Sequence, residues 1–227
     1  LIGLDINGVG NHEFDEGADE LLRMQFGGSH PVDGDLDGDG LVDVLSSSAH
    51  KYGIWWHKQI KDNAKEPTFN TRVLFPELVS ETHAMHFVDL DGDGVKDMVT
   101  GKRFYSHGKS EPGSSLPAYV YMLKGSKSSD GIITFNPVVL DNDSGIGTQF
   151  AIVDINGDGK LDIYVCYSGA LPPEKRANQL FINQGNTSNG NPTFVDMASE
   201  YGLASQGFSN QAYFFDCDND EDLDMVL

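Results

Sequence analysis

The sequence predicts an all-β fold built from repeated four-stranded antiparallel units. A nine-residue acidic pattern, D-x-[DN]-x-D-G-x-x-D, occurs four times among the 227 residues with few departures. Short apolar runs rich in valine, isoleucine, phenylalanine and tyrosine flank the copies, as expected for strands that enter and leave a turn. No long segment shows the periodicity of an amphipathic helix. Together these observations predict β-hairpins that carry acidic loops.

The acidic loops cover residues 35–43, 89–97, 154–162 and 216–224 and are called loops 1 to 4 below. Positions 1, 3, 5 and 9 supply side-chain oxygens and position 7 a backbone carbonyl, which together form the oxygen shell that Ca²⁺ prefers. Glycine at position 6 permits the sharp turn. A solvated acidic turn is the alternative for any single copy. The predicted ligands are Asp35, Asp37, Asp39, Leu41 and Asp43 in loop 1; Asp89, Asp91, Asp93, Val95 and Asp97 in loop 2; Asp154, Asn156, Asp158, Lys160 and Asp162 in loop 3; and Asp216, Asp218, Asp220, Asp222 and Asp224 in loop 4.

Two loops depart from the pattern. Asn156 stands at position 3 of loop 3 and still offers an oxygen, whereas Glu221 replaces the glycine of loop 4. Position 12, counted from the first aspartate, holds no carboxylate in any copy, and this excludes the EF-hand loop. The sequence therefore predicts three to four structural calcium ions.

The loops recur within a longer repeat. Their first aspartates lie 54, 65 and 62 residues apart. In the second unit, strands are predicted at 86–88 and 97–100 around the loop, followed by apolar runs at 118–123 and 133–140. Four short strands per unit, repeated in this way, are typical of the blades of a β-propeller.

The chain resembles the FG-GAP/VCBS repeat family, the integrin-α-like propellers, over residues 27–227, because their blades carry this nine-residue calcium hairpin. Segments 178–185, 194–203 and 211–216 resemble the cartilage-acidic-protein and bacterial secreted repeat branch of that family. The resemblance implies calcium at the matching positions. It also implies partner binding on the face opposite the calcium loops.

The chain is predicted to be a single propeller domain or part of a larger one. Its units are 27–80, 81–145, 146–205 and 206–227, with residues 1–26 as a further candidate contribution. Either the two ends complement each other in a small four-bladed ring, or the chain is a piece of a longer propeller. The second interpretation is favoured because an unfinished last blade leaves an exposed edge.

The net charge is −20, and nearly half of the 35 acidic residues lie in the four loops. Such a balance argues against nucleic acid and against insertion into an anionic membrane. Extracellular calcium modules match millimolar calcium, so we expect an extracellular, periplasmic or cell-surface location. A bridge between Cys166 and Cys217 is conceivable, but two separately buried thiols are favoured.

No nucleophile, phosphate-loop or zinc-protease motif is present. One basic and aromatic segment contains Lys102, Arg103, Tyr105 and His107, which are candidates for binding an anionic glycan or an acidic protein loop on the face opposite the calcium loops. A solvated long loop that packs on its neighbour is the favoured interpretation of this segment.

Three functions follow from these features. The favoured one is a non-catalytic, calcium-stabilised propeller for binding, adhesion or surface assembly. The alternatives are the propeller scaffold of a secreted carbohydrate-active enzyme, similar to a polysaccharide lyase, and a fibre subunit that self-assembles through open blade edges.

Overall fold

The computed structural model describes residues 35–62, 67–103, 110–147, 149–168, 172–173, 176–218, 220 and 222–227. Within these residues the regular structure is all β, as predicted. The strands are β1 (Val44–Ser47), β2 (Tyr52–Ile60), β3 (Thr68–Ser80), β4 (Met85–Val88), β5 (Asp97–Gly101), β6 (Val120–Lys127), β7 (Ile133–Asp141), β8 (Gln149–Val153), β9 (Asp162–Cys166), β10 (Gln179–Asn186), β11 (Pro192–Asp196), β12 (Tyr213–Phe215) and β13 (Asp224–Val226).

Each sheet lies within one predicted unit, and every pairing is antiparallel. Unit 1 contains β1–β2–β3, unit 2 contains β4–β5–β6–β7, unit 3 contains β8–β9–β10–β11, and unit 4 contains β12–β13. The four-stranded antiparallel sheets of units 2 and 3 confirm the predicted repeat. The described strands do not establish a closed ring, so the propeller remains a prediction. Residues 1–26, the further candidate contribution, lie outside the described residues.

Consecutive sheets pack face to face. Successive side chains of a strand point to opposite faces, so a strand between two other sheets buries both of its sides. On β5, Met98 contributes to the core shared with unit 1, whereas Val99 contributes to the core shared with unit 3. On β9, Ile163 faces unit 2 and Tyr164 faces unit 4. All residues of β5 and β9 are buried for this reason.

The two cysteines are both free. Cys166 on β9 is buried, as expected. The expectation that Cys217 is buried as well was wrong, because Cys217 occupies position 2 of loop 4 and is exposed to solvent.

Candidate metal sites

The acidic loops lie at one end of the sheets. Loops 2, 3 and 4 connect β4 to β5, β8 to β9 and β12 to β13, and loop 1 leads into β1. Strand pairing continues to the edge of these loops, since Val88 pairs with Asp97 and Val153 pairs with Asp162. The predicted hairpin setting is therefore confirmed for loops 2 to 4.

The first aspartate of a loop organises its turn. In loop 2, Asp89 accepts hydrogen bonds from the backbone N–H groups of Asp93 at 3.1 Å and Gly94 at 2.9 Å. Gly94 has a φ of 89°, which a residue with a side chain rarely adopts. Asp35 in loop 1 and Asp154 in loop 3 make the same pair of bonds to positions 5 and 6.

The ninth aspartate joins the loop to the strand that follows the loop strand. This strand is β2 in unit 1, β6 in unit 2 and β10 in unit 3, and it is called the third strand of its unit below. Asp97 is fully buried and accepts hydrogen bonds from the N–H groups of Leu90 at 3.0 Å and Gly125 of β6 at 2.8 Å. Asp43 and Asp162 make the equivalent pair of contacts. Burial raises the pKa of both Asp43 and Asp97 to about 6.

In loops 1, 2 and 4, acidic side chains of the same loop converge. Three groups have side-chain oxygens within 4.8 Å of one another: Asp35, Asp37 and Asp39; Asp89, Asp91 and Asp97; and Asp216, Asp218 and Asp224. In loop 1, Asp37 Oδ1 is buried and accepts no hydrogen bond from the described residues. Several hard oxygens around one point, with a buried one unsatisfied, fit a calcium ion.

The backbone N–H group of position 7 holds the side chain of the aspartate at position 5. The N–H groups of Leu41 and Val95 donate to the carboxylates of Asp39 and Asp93 at 3.0 and 2.9 Å. In loop 3, Asn156 Oδ1 accepts a hydrogen bond from Asp158 N at 3.1 Å, so the amide takes the place of the usual carboxylate at position 3.

Loop 4 is the most exposed of the four. Asp216 accepts a hydrogen bond from the N–H of Asp220 at 3.2 Å, and Asp224 accepts one from that of Cys217 at 3.0 Å, as in the other loops. The neighbouring charge of Asp220 raises the pKa of Asp222. Glu221 lies outside the described residues.

Two lysines that sequence reasoning missed reach into loops 1 and 2 from the third strands. Lys58 Nζ contacts Asp37 and lies 2.7 Å from Asp39 Oδ2. Lys124 Nζ contacts Asp91 and lies 3.3 Å from Asp93 Oδ2. In the sequence, each is simply a lysine on the strand after the loop strand. Its contact with the loop could be predicted only from the register in which the two strands pair.

The basic segment on the opposite face is only partly described. Lys102 is 2% exposed, and its ammonium group donates hydrogen bonds to the carbonyls of Ser114 at 2.9 Å and Leu116 at 2.8 Å. Lys102 therefore anchors the loop before β6, which leaves it little surface for a ligand. Tyr105 and His107 lie outside the described residues.

Arg103 follows Lys102 at the end of β5. Its backbone N–H donates a hydrogen bond to the carbonyl of Glu81 at 2.9 Å. Burial lowers the pKa of its guanidinium group. On the corresponding connection of unit 3, the guanidinium carbon of Arg176 lies 4.0 Å from the ring centroid of Phe208, which is 67% exposed. A basic and aromatic pair therefore faces solvent away from the acidic loops.

The fold and the loops define a repeat protein whose antiparallel sheets each carry an acidic hairpin loop. A family model for the FG-GAP-like repeat matches residues 35–100 and 154–227, which is more than half of the chain. The chain belongs to the FG-GAP-like repeat family, and the predicted resemblance is confirmed. Repeats of this family typically occur in extracellular or surface proteins.

One curated protein shares a short segment with the chain. Endonuclease YhcR of Bacillus subtilis (strain 168) is 70% identical over 30 residues, which are 13% of this chain and 2% of that protein. The chain thus spans a small fraction of that relative's length. No solved structure matches the chain. Among the residues that the structure describes, no helix has the length and apolar character needed to cross a bilayer.

Proposed function

We propose that the chain is a non-catalytic, calcium-stabilised β-propeller domain, or part of one, that acts outside the cell in binding, adhesion or surface assembly. The observation that carries this proposal is the recurrence of one hydrogen-bonded loop in three units. In each, the first aspartate holds the turn and the ninth ties it to the third strand, as Asp89 and Asp97 do in loop 2. A solvated turn has no reason to repeat this framework.

Calcium supplies positive charge that offsets the repulsion among the loop carboxylates. The ligands would be the side-chain oxygens at positions 1, 3, 5 and 9 together with the position 7 carbonyl. The stabilisation follows mass action, so calcium tenfold above its dissociation constant adds about 1.4 kcal/mol per site. Extracellular calcium modules have dissociation constants of about 10⁻⁴–10⁻³ M, so loops of this kind would be filled by the calcium present outside cells.

We propose that a partner binds on the face opposite the loops. The exposed Phe208 ring and the half-buried Arg176 beside it support a partner with acidic and apolar groups, either a protein or a glycan. Arginine and aromatic side chains are enriched at the energetically dominant positions of interfaces. The net charge of −20 argues against nucleic acid as that partner.

The decisive experiment is a calorimetric calcium titration of the chelator-treated chain, with a thermal melt at each calcium concentration. We expect three or four sites and a rise in the melting temperature of about 10 °C at saturation, since each kcal/mol raises the melting temperature of a chain this long by roughly 2–4 °C.

Asp89→Asn is the matching variant, and we expect it to remove one site. Asp130→Asn is its control, because Asp130 lies in the turn between β6 and β7 and accepts a hydrogen bond from the Ser128 hydroxyl at 2.6 Å. A melting temperature that is identical in chelator and in millimolar calcium would contradict the proposal.

A further inference from the structure

Lys58 and Lys124 occupy equivalent places in units 1 and 2. Each directly precedes the residue whose N–H donates to the ninth aspartate of the loop: Gln59 bonds Asp43, and Gly125 bonds Asp97, both at 2.8 Å. Because the register is the same, the two lysine side chains point to the same part of their loops.

Unit 3 breaks this pattern at the equivalent position. There the N–H of Asn183 donates to Asp162 at 2.8 Å, and the preceding residue is Ile182, which is 3% exposed and packs in the core toward unit 4. Among the described residues, the cation that pairs with loop 3 is its own Lys160, at position 7, whose ammonium group lies 2.7 Å from Asp158 and whose side chain is 42% exposed.

The two lysines bind the carboxylates that calcium would use. Each ammonium group bridges the carboxylates at positions 3 and 5. The Asp91 side chain is fully buried and that of Lys124 is 21% exposed, so the ion pair is poorly screened by solvent. An ammonium group and a calcium ion repel each other, so they compete for these carboxylates.

We propose that Lys58 and Lys124 are built-in counter-cations that compete with calcium and lower the calcium affinity of loops 1 and 2. The inference rests on the proposed calcium binding of the loops. It assigns two effects of opposite sign to one side chain: the lysine stabilises the metal-free loop and weakens the loop's affinity for calcium. Once displaced, Lys124 keeps a partner, because it already donates to the carbonyl of Gly190 in unit 3 at 3.1 Å.

The test compares Lys58→Met and Lys124→Met with Lys127→Met. Lys127→Met is a matched control, because it removes the same charge beside loop 1. Lys127 Nζ donates to the backbone carbonyl of Asp37, at 3.4 Å, and not to a carboxylate of that loop in the described contacts. We expect each of the first two variants to tighten one calcium site about tenfold and to lower the melting temperature in chelator. We expect Lys127→Met to do neither.

An NMR titration of the wild type and of the lysine variants provides a second test. Gly40, Gly94 and Gly159 each donate an N–H to the first aspartate of their loop, so their amide resonances in a two-dimensional NMR titration report the three loops separately. We expect Lys58→Met to shift the response of Gly40, and Lys124→Met that of Gly94, to lower calcium concentrations, and both variants to leave the response of Gly159 unchanged.

The possible failures are distinguishable. Lysine variants that bind calcium no more tightly than Lys127→Met would overturn the inference while calcium binding itself stands. A wild-type chain that binds no calcium would overturn the proposed function and the inference with it.

Discussion

At the scale of single residues, the ninth aspartate of each loop serves as a structural group and as a predicted ligand. Asp97 is buried and accepts two backbone hydrogen bonds, yet burial outweighs them and raises the pKa of its carboxyl group to about 6. The sequence pattern predicted its place in the loop. It did not predict the contact with Gly125, because that contact depends on the pairing of β5 with β6.

These raised pKa values predict a pH-dependent response to calcium. The pKa values of Asp43 and Asp97 are both about 6 in the folded chain, against about 3.9 when unfolded, so the metal-free fold holds these protons more tightly. Their contribution to stability in the metal-free chain is greatest below about pH 4 and is lost as the pH rises through 6. Calcium binds these carboxyl groups in their ionised form, so it competes with the protons.

We therefore expect the calcium-induced rise in melting temperature to be small at pH 5 and complete by about pH 7. Melting curves with chelator and with saturating calcium, recorded from pH 4.5 to 8, measure the difference. Taking this difference cancels the contribution of titrating groups away from the loops, such as the half-buried His86. If the calcium-induced rise in melting temperature is constant from pH 4.5 to 8, the protonation of Asp43 and Asp97 does not control calcium binding.

At the scale of elements, the strands were predictable because their apolar runs are short and bounded by glycine, proline and acidic turns. The loops between the second and third strands of each unit were not, because buried polar contacts hold them in place. Lys102, which was predicted to face a ligand, instead lies 3.5 Å from Glu81 Oε2 and is almost fully buried. The sequence of a loop segment does not show whether a lysine side chain faces water or donates to buried carbonyl groups, so the burial of Lys102 could not be predicted.

The Lys102–Glu81 pair predicts a large loss of stability when one partner is removed. Lys102→Met deletes the bonds to Ser114 and Leu116 and leaves the Glu81 carboxylate buried without its counter-charge. Breaking such a pair destabilises by about 3–5 kcal/mol, whereas replacing both partners is often close to neutral. We expect the free energy of unfolding in urea to fall by about this amount in Lys102→Met, and to recover in large part when Glu81→Gln is added.

The control for this pair is Lys51→Met, since Lys51 is exposed on the segment before β2. We expect that variant to change the unfolding free energy by less than about 0.5 kcal/mol. If Lys102→Met proves equally mild, the buried pair does not anchor the loop.

At the scale of the whole molecule, loops 1 and 2 also touch the hairpin of the next unit. Asn186, at the end of β10, donates its amide N–H to the carbonyl of Asp91 in loop 2 at 2.7 Å, and Lys127 of unit 2 reaches the carbonyl of Asp37 in loop 1. The repeat itself could be predicted from the spacing of the aspartates. These contacts between units could not, because they join residues about 90 positions apart in the chain.

Such contacts predict that calcium in loop 2 stabilises unit 3 as well as unit 2. Ordering Asp91 fixes the carbonyl that Asn186 binds, so local opening of the β10–β11 hairpin becomes less favourable. We expect saturating calcium to slow amide hydrogen exchange in residues 184–192, measured by mass spectrometry, and Asn186→Ala to abolish that slowing while leaving the protection of residues 89–97 intact. Ser188→Ala, an exposed change at the tip of the same hairpin, is expected to behave like the wild type. Calcium protection confined to the acidic loops in all three proteins would mean that each unit responds to its own ion alone.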